Sequence, residues 1–109
     1  MPYISTYDNF GNLLQRSEII ILLDLYKNQR IDGIRSSCSY AIQSAGLDEA
    51  TQQNAALGIY PPERCEAIKS YIAACRNEYL RCKALILAAQ TNDEADAVRF
   101  LAPPVPENI

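Results

Sequence analysis

Three of the four cysteines, Cys65, Cys75 and Cys82, stand in the stretch "CEAIKSYIAACRNEYLRCKALILAAQ", residues 65–90; the fourth is Cys38. Thiols in such a cluster can ligate a metal, pair as a disulfide, act as a nucleophile, or simply fill a core. Spacing separates these chemistries. Stepping from Cys65 by three and four residues in turn reads Cys65, Ile68, Ile72, Cys75, Tyr79, Cys82, Ile86 and Ala89. All eight are apolar or weakly polar. A 3–4 repeat of that length is the pattern of a coiled-coil-like seam. It predicts one helix from about Pro62 to Gln90, with all three thiols on its buried stripe.

Helix geometry then restricts the chemistry. Cys75 and Cys82 lie seven residues apart, ~10.5 Å along the axis at 1.5 Å per residue. A disulfide requires Cα atoms within ~7 Å, and zinc holds each sulfur at ~2.3 Å. No two of the three can share a bond or a metal while the helix stands. Only Cys38, on another segment, could pair with one of them. The chain contains no histidine, which removes the commonest metal ligand and general base. An activated thiol needs a base or a helix N-terminus. Cys65, beside Arg64, is the only position meeting that condition. Phosphate-binding loops, nucleophile elbows and calcium loops are missing from the sequence. The reading is of core cysteines, no catalytic residue, no metal and no cofactor.

The partner of this seam is the proline-free segment Ser17–Ala45, where Ile31, Ile34, Cys38, Ala41 and Ala45 share one helical face. Ser17 followed by Glu18 suits a helix start. Gly33 is a weak point that could break the segment into two helices, and Gly46 suits the C-terminal stop. Leu47–Gly58 reads as a short helix. Tyr60-Pro61-Pro62 forces an extended turn, with Pro62 fitting the first turn of the long helix. Thr91 or Asn92 caps a last short helix. Residues 102–109, "APPVPENI" with its three prolines, form a tail that cannot be helical throughout; it is expected to be disordered or held on a partner in polyproline form. Residues 1–16, with Tyr3 and Tyr7 alternating with polar residues before "DNFGN", suit a β-hairpin or extended arm. The expected fold is mainly α: an antiparallel hairpin of two long helices over residues 17–101, with short extra helices and an N-terminal arm.

Contacts with other chains are suggested by what flanks the seam. Lys69, Arg76 and Lys83 recur every seven residues, either as a solvated shoulder or as a basic stripe that meets an acidic neighbour. Ala73, Leu80 and Leu87 form a second apolar stripe. A helix with two apolar stripes calls for two partners, either short elements of this chain or another subunit. Seven tyrosines suit interfaces. Net charge −3 argues against nucleic acid. The longest aliphatic run, Ile19–Leu23, ends at Asp24, far short of a bilayer span, and residues 1–18 carry no basic leader or apolar core of a signal sequence. The expectation is a protein kept in a reducing compartment and bound to no membrane.

Residues 67–98, "AIKSYIAACRNEYLRCKALILAAQTNDEADAV", resemble small bacteriophage virion and tail-assembly proteins, in which a long amphipathic helix precedes a phrase such as A-x-T-x-E-E. The resemblance covers about a third of the chain and brings no functional residues with it. It implies a structural subunit of a head-neck, tail or baseplate, assembled in the host cytoplasm with other protein subunits. The alternatives are a small cytosolic helical adaptor, chaperone or regulator with one protein partner, and, on the thiols alone, a thiol-dependent enzyme or redox sensor.

Overall fold

The computed structural model describes the backbone of residues 16–109 and the side chains of residues 22–109. The predicted arm or hairpin, with Tyr3 and Tyr7, lies outside the described residues. The rest is helical: α1 (Arg16–Ser44), α2 (Glu49–Ala56), α3 (Pro62–Ala88) and α4 (Asn92–Ala97). No strand occurs among the described residues.

α1 is one unbroken helix through Gly33. An added Cβ at Gly33 would meet nothing within 4 Å. Gly33→Ala is therefore expected to raise stability by about 1 kcal/mol; urea unfolding of the two proteins measures it, and a loss of stability would contradict the open geometry. α1 stops at Gly46, whose φ of 84° is left-handed. There the N–H of Gly46 bonds to the Gln43 carbonyl at 2.9 Å and that of Leu47 to the Ile42 carbonyl at 3.3 Å, the two bonds of a Schellman stop. Gly58, φ 73°, ends α2 in the same way, with Gly58 N–H on Ala55 and Ile59 N–H on Asn54. Asp48 caps α2 by accepting from the Thr51 N–H at 2.8 Å, which holds its carboxyl below the usual range. Thr91 caps α4 through Glu94 N–H at 3.1 Å.

The helix bounds differ from the sequence reading, and α2 is two residues shorter at each end than Leu47–Gly58. α1 begins at Arg16, so Ser17 sits in the first turn rather than at the cap. α3 ends at Ala88, because Ala89 is already extended (ψ 142°) and leads into the α4 cap.

α1 and α3 pack antiparallel. Cys38 Sγ donates to the Cys75 carbonyl at 3.5 Å and Tyr71 Oη to the Ala41 carbonyl at 3.4 Å. One buried cluster, Cys38, Ala41, Leu47, Ala55, Ile68, Tyr71 and Cys75, joins α1, α2 and α3. A second, Ile31, Ile34, Cys82, Ile86, Ala89 and Ala95, joins α1, α3 and α4. At the far end Lys27 Nζ donates to the Leu87 carbonyl at 2.9 Å. Lys27 thus sits over the last turn of α3, and the turns of α1 before it run on past α3 by ~15 Å for ten residues. α4 buttresses their base. Arg30 donates to the Val98 carbonyl at 2.6 Å and Tyr26 Oη to Asp96. The molecule measures 65 × 20 × 17 Å.

The proline-rich tail, expected to be disordered or held on a partner, is packed on this chain. It returns along its own hairpin. Leu101 N–H donates to Glu78 at 2.8 Å and Asn108 Nδ2 to the Glu63 carbonyl at 3.4 Å. Seven residues at the ~3.1 Å rise of polyproline II cover ~22 Å, and fifteen helical residues from Glu78 back to Glu63 cover about the same. Phe100 packs against both buried clusters and Ile109 against the first.

Candidate functional site

Cys75 and Cys82 are fully buried, Cys38 and Cys65 nearly so, and all four are free. Three of the sulfurs face an acceptor: Cys38 the Cys75 carbonyl at 3.5 Å, Cys65 the Tyr60 carbonyl at 3.3 Å, and Cys82 the Arg99 carbonyl at 3.3 Å and Glu78 at 3.5 Å. Burial pushes the Cys38, Cys75 and Cys82 thiols up from the ordinary value, and at Cys82 the Glu78 charge adds to it. A thiol held neutral and shut from solvent reacts slowly. A thiol-reactive dye should therefore label all four only as fast as the protein unfolds. Fast labelling of the native protein at Cys65 would reopen the nucleophile reading. Among the described residues, no three Cys, Asp or Glu side chains gather where they could hold a metal.

On α3 the structure buries Cys65, Ile68, Cys75, Cys82, Ile86 and, just beyond, Ala89; on α1 it buries Ile31, Ile34, Cys38 and Ala41. Ile72 and Tyr79 are half-buried instead. Tyr79 lies at the seam's edge, where Arg35 donates to its hydroxyl at 3.0 Å and stacks 5.6 Å from its ring centre. The arginine is anchored in turn by Asp32 at 2.7 Å. Tyr71, outside the 3–4 repeat, is buried, because the tail side of α3 is covered as well as the α1 side.

That tail side carries a polar latch. Glu78, with 13% of its side chain exposed, accepts from Arg81 Nε and Nη2 at 2.7 and 2.6 Å and from the Leu101 N–H. Arg81 Nη2 also donates to the Arg99 carbonyl at 3.0 Å. The Arg81 guanidinium, aided by the Leu101 N–H and the Cys82 thiol and opposed by partial burial, lowers the Glu78 carboxyl to about 2. This is a clamp on the returning chain. Sequence reasoning passed over Glu78 and Arg81; their i, i+3 spacing was the one local signal, and their third partner lies some twenty residues away.

Apart from the tail, the hairpin offers grooves and one bare face. An apolar groove of about 550 Å³ opens between α1 and the tail, lined by Tyr40, Ala41, Tyr71, Phe100, Pro103 and Val105 among others. No described residue lies over the opposite flank of α3. There Leu80 is 55% and Leu87 53% exposed, and Ala73 is exposed with them. α2, α4 and the tail all lie elsewhere on the hairpin, so none covers the second apolar stripe. Lys69 and Arg76 are exposed beside it and Lys83 is half-buried. None of the three has an ion-pair partner among the described residues. On the projecting end of α1, Leu22 and Leu25 are each 54% exposed. No described helix is long and apolar enough to cross a membrane. Comparison with family models, with curated proteins and with solved structures gives no match.

Proposed function

We propose that the protein is a non-enzymatic structural or assembly subunit that acts through helix-face contacts in a larger complex. The observation that carries this reading is the uncovered Ala73–Leu80–Leu87 face, opposite a seam already satisfied by α1. Scattered exposed apolar residues are ordinary on a protein surface. A row of them at heptad spacing, on a rigid rod, suits a partner helix. Covering a leucine contributes about 1.5–3 kcal/mol, so two anchors and their rim support a specific contact. The likeness of residues 67–98 to phage virion and tail-assembly proteins supplies the setting: a virion head-neck, tail or baseplate.

Light scattering after gel filtration tests the reading, on the protein alone and on the protein co-expressed with products of its neighbouring genes. The expected result is a species heavier than the 12.2 kDa monomer in the co-expressed sample. Leu80→Lys with Leu87→Lys should return it to monomer with its helical circular dichroism intact. A monodisperse monomer under every condition would overturn the proposal. A lone reversible 1:1 complex with one soluble protein would replace it with an adaptor.

A further inference from the structure

The bare face is charged on one side only, and this indicates what kind of helix it takes. Steps of four and three along α3 read Lys69, Ala73, Arg76, Leu80, Lys83, Leu87. Each apolar anchor is thus bordered, one turn away, by a cation. The other border of the stripe is Glu63, Ser70, Asn77 and Ala84, neutral but for one carboxylate, and Glu66 heads the stripe itself, seven residues before Ala73. The carboxylates of this region sit on the far side of the hairpin instead. Glu78 is held in the tail latch, and Asp93, Glu94 and Asp96 belong to α4. Across the groove on α1, Asp32 is occupied by Arg35, and Lys27 adds a further ammonium at the Leu87 end.

We infer that the Ala73–Leu80–Leu87 face binds an amphipathic helix of a different polypeptide, one carrying glutamate or aspartate along the edge that meets Lys69, Arg76 and Lys83. The inference rests on the assembly reading above and adds the chemistry of the partner. A second copy of this chain fits poorly. Antiparallel pairing of two identical faces sets the basic border against itself, where like charges repel. Parallel pairing sets it against a border offering Glu63 alone. A foreign helix with an acidic edge pairs every seven residues over the ~21 Å from Ala73 to Leu87, and the charges fix its register and direction.

Two synthetic peptides of about three heptads test this, sharing one leucine and isoleucine seam. One carries glutamate on both edges and the other lysine, and each bears a fluorescent label. In anisotropy titrations at about 50 mM salt the acidic peptide should bind at least tenfold tighter, and the gap should close near 0.5 M salt as screening shortens to a few ångströms. Lys69→Glu with Arg76→Glu and Lys83→Glu should invert the preference. Leu80→Lys with Leu87→Lys should abolish binding of both peptides. Absence of acidic-peptide binding at about 100 μM, or equal binding by the charge-inverted protein, overturns the inference. Should that happen while Leu80→Lys with Leu87→Lys still dissolves the assembled species, the face remains an interface and only the acidic partner falls. A self-dimer of the protein alone, dissolved by the same pair of substitutions, would name a second copy as the occupant. If those substitutions dissolve nothing, the assembly reading falls as well.

Discussion

Ile68→Ala lowers the free energy of unfolding by about 2–5 kcal/mol, toward the upper end of that range. Ile68 is fully buried where α1, α2 and α3 meet. Its cluster is rich in short side chains: Cys38, Ala41, Ala55 and Cys75. None of these can swing into the space that three missing carbons leave. The void persists, and its lining loses contacts outright. For a domain whose total stability is about 5–15 kcal/mol, that is a large fraction. Urea unfolding followed by circular dichroism should show an earlier midpoint with an unchanged slope. A loss below about 1 kcal/mol would mean that the α2 end of the hairpin is not packed as described.

Glu78→Gln detaches the returning chain. The amide keeps the shape but loses the charge that draws Arg81 and the Leu101 N–H together. Hydrogen bonds to a charged group contribute about 1.5–3 kcal/mol each, but Arg81 is nearly half exposed and its share is discounted for solvent screening. The expected cost is about 1–2 kcal/mol, with amide exchange speeding up first at Leu101 and the residues after it. The pH dependence follows from the sign of the shift. Folding lowers the Glu78 carboxyl from 4.5 to about 2. Its contribution is therefore complete above 4.5 and lost as pH falls from there through 2. Between these limits wild type should lose stability that Glu78→Gln no longer has to lose. Parallel stability curves for the two proteins over that range would remove Glu78 from its place in the latch.

The hairpin itself was readable because its information is local and periodic. The 3–4 spacing from Cys65 to Ala89 marks one face of one helix, and Ile31 to Ala41 marks its counterpart. Gly46, Gly58, Pro62 and Thr91 mark stops and starts through backbone conformation or capping chemistry that belongs to each residue alone. Tyr71 was missed because a two-helix picture leaves its flank empty. Only the third strand of chain, residues 98–109, makes that flank interior. The tail's course was illegible for the same reason. Three prolines exclude helix and say nothing about where an extended segment lies. Its position depends on Glu78, a residue that any helix would tolerate on its surface. The bare leucine face was visible as a pattern, but that no part of the hairpin covers it emerged only once α2, α4 and the tail had been placed elsewhere.

The tail's return fixes where the two extremities of the described chain sit. Asn108 is fastened beside Glu63, near the α1–α2 turn, while Arg16 begins the opposite tip of a helix 29 residues long, ~43 Å away. Residues 16 and 108 thus stand at opposite poles of the described hairpin. Labels placed at residues 16 and 108 therefore report on different tips of the hairpin.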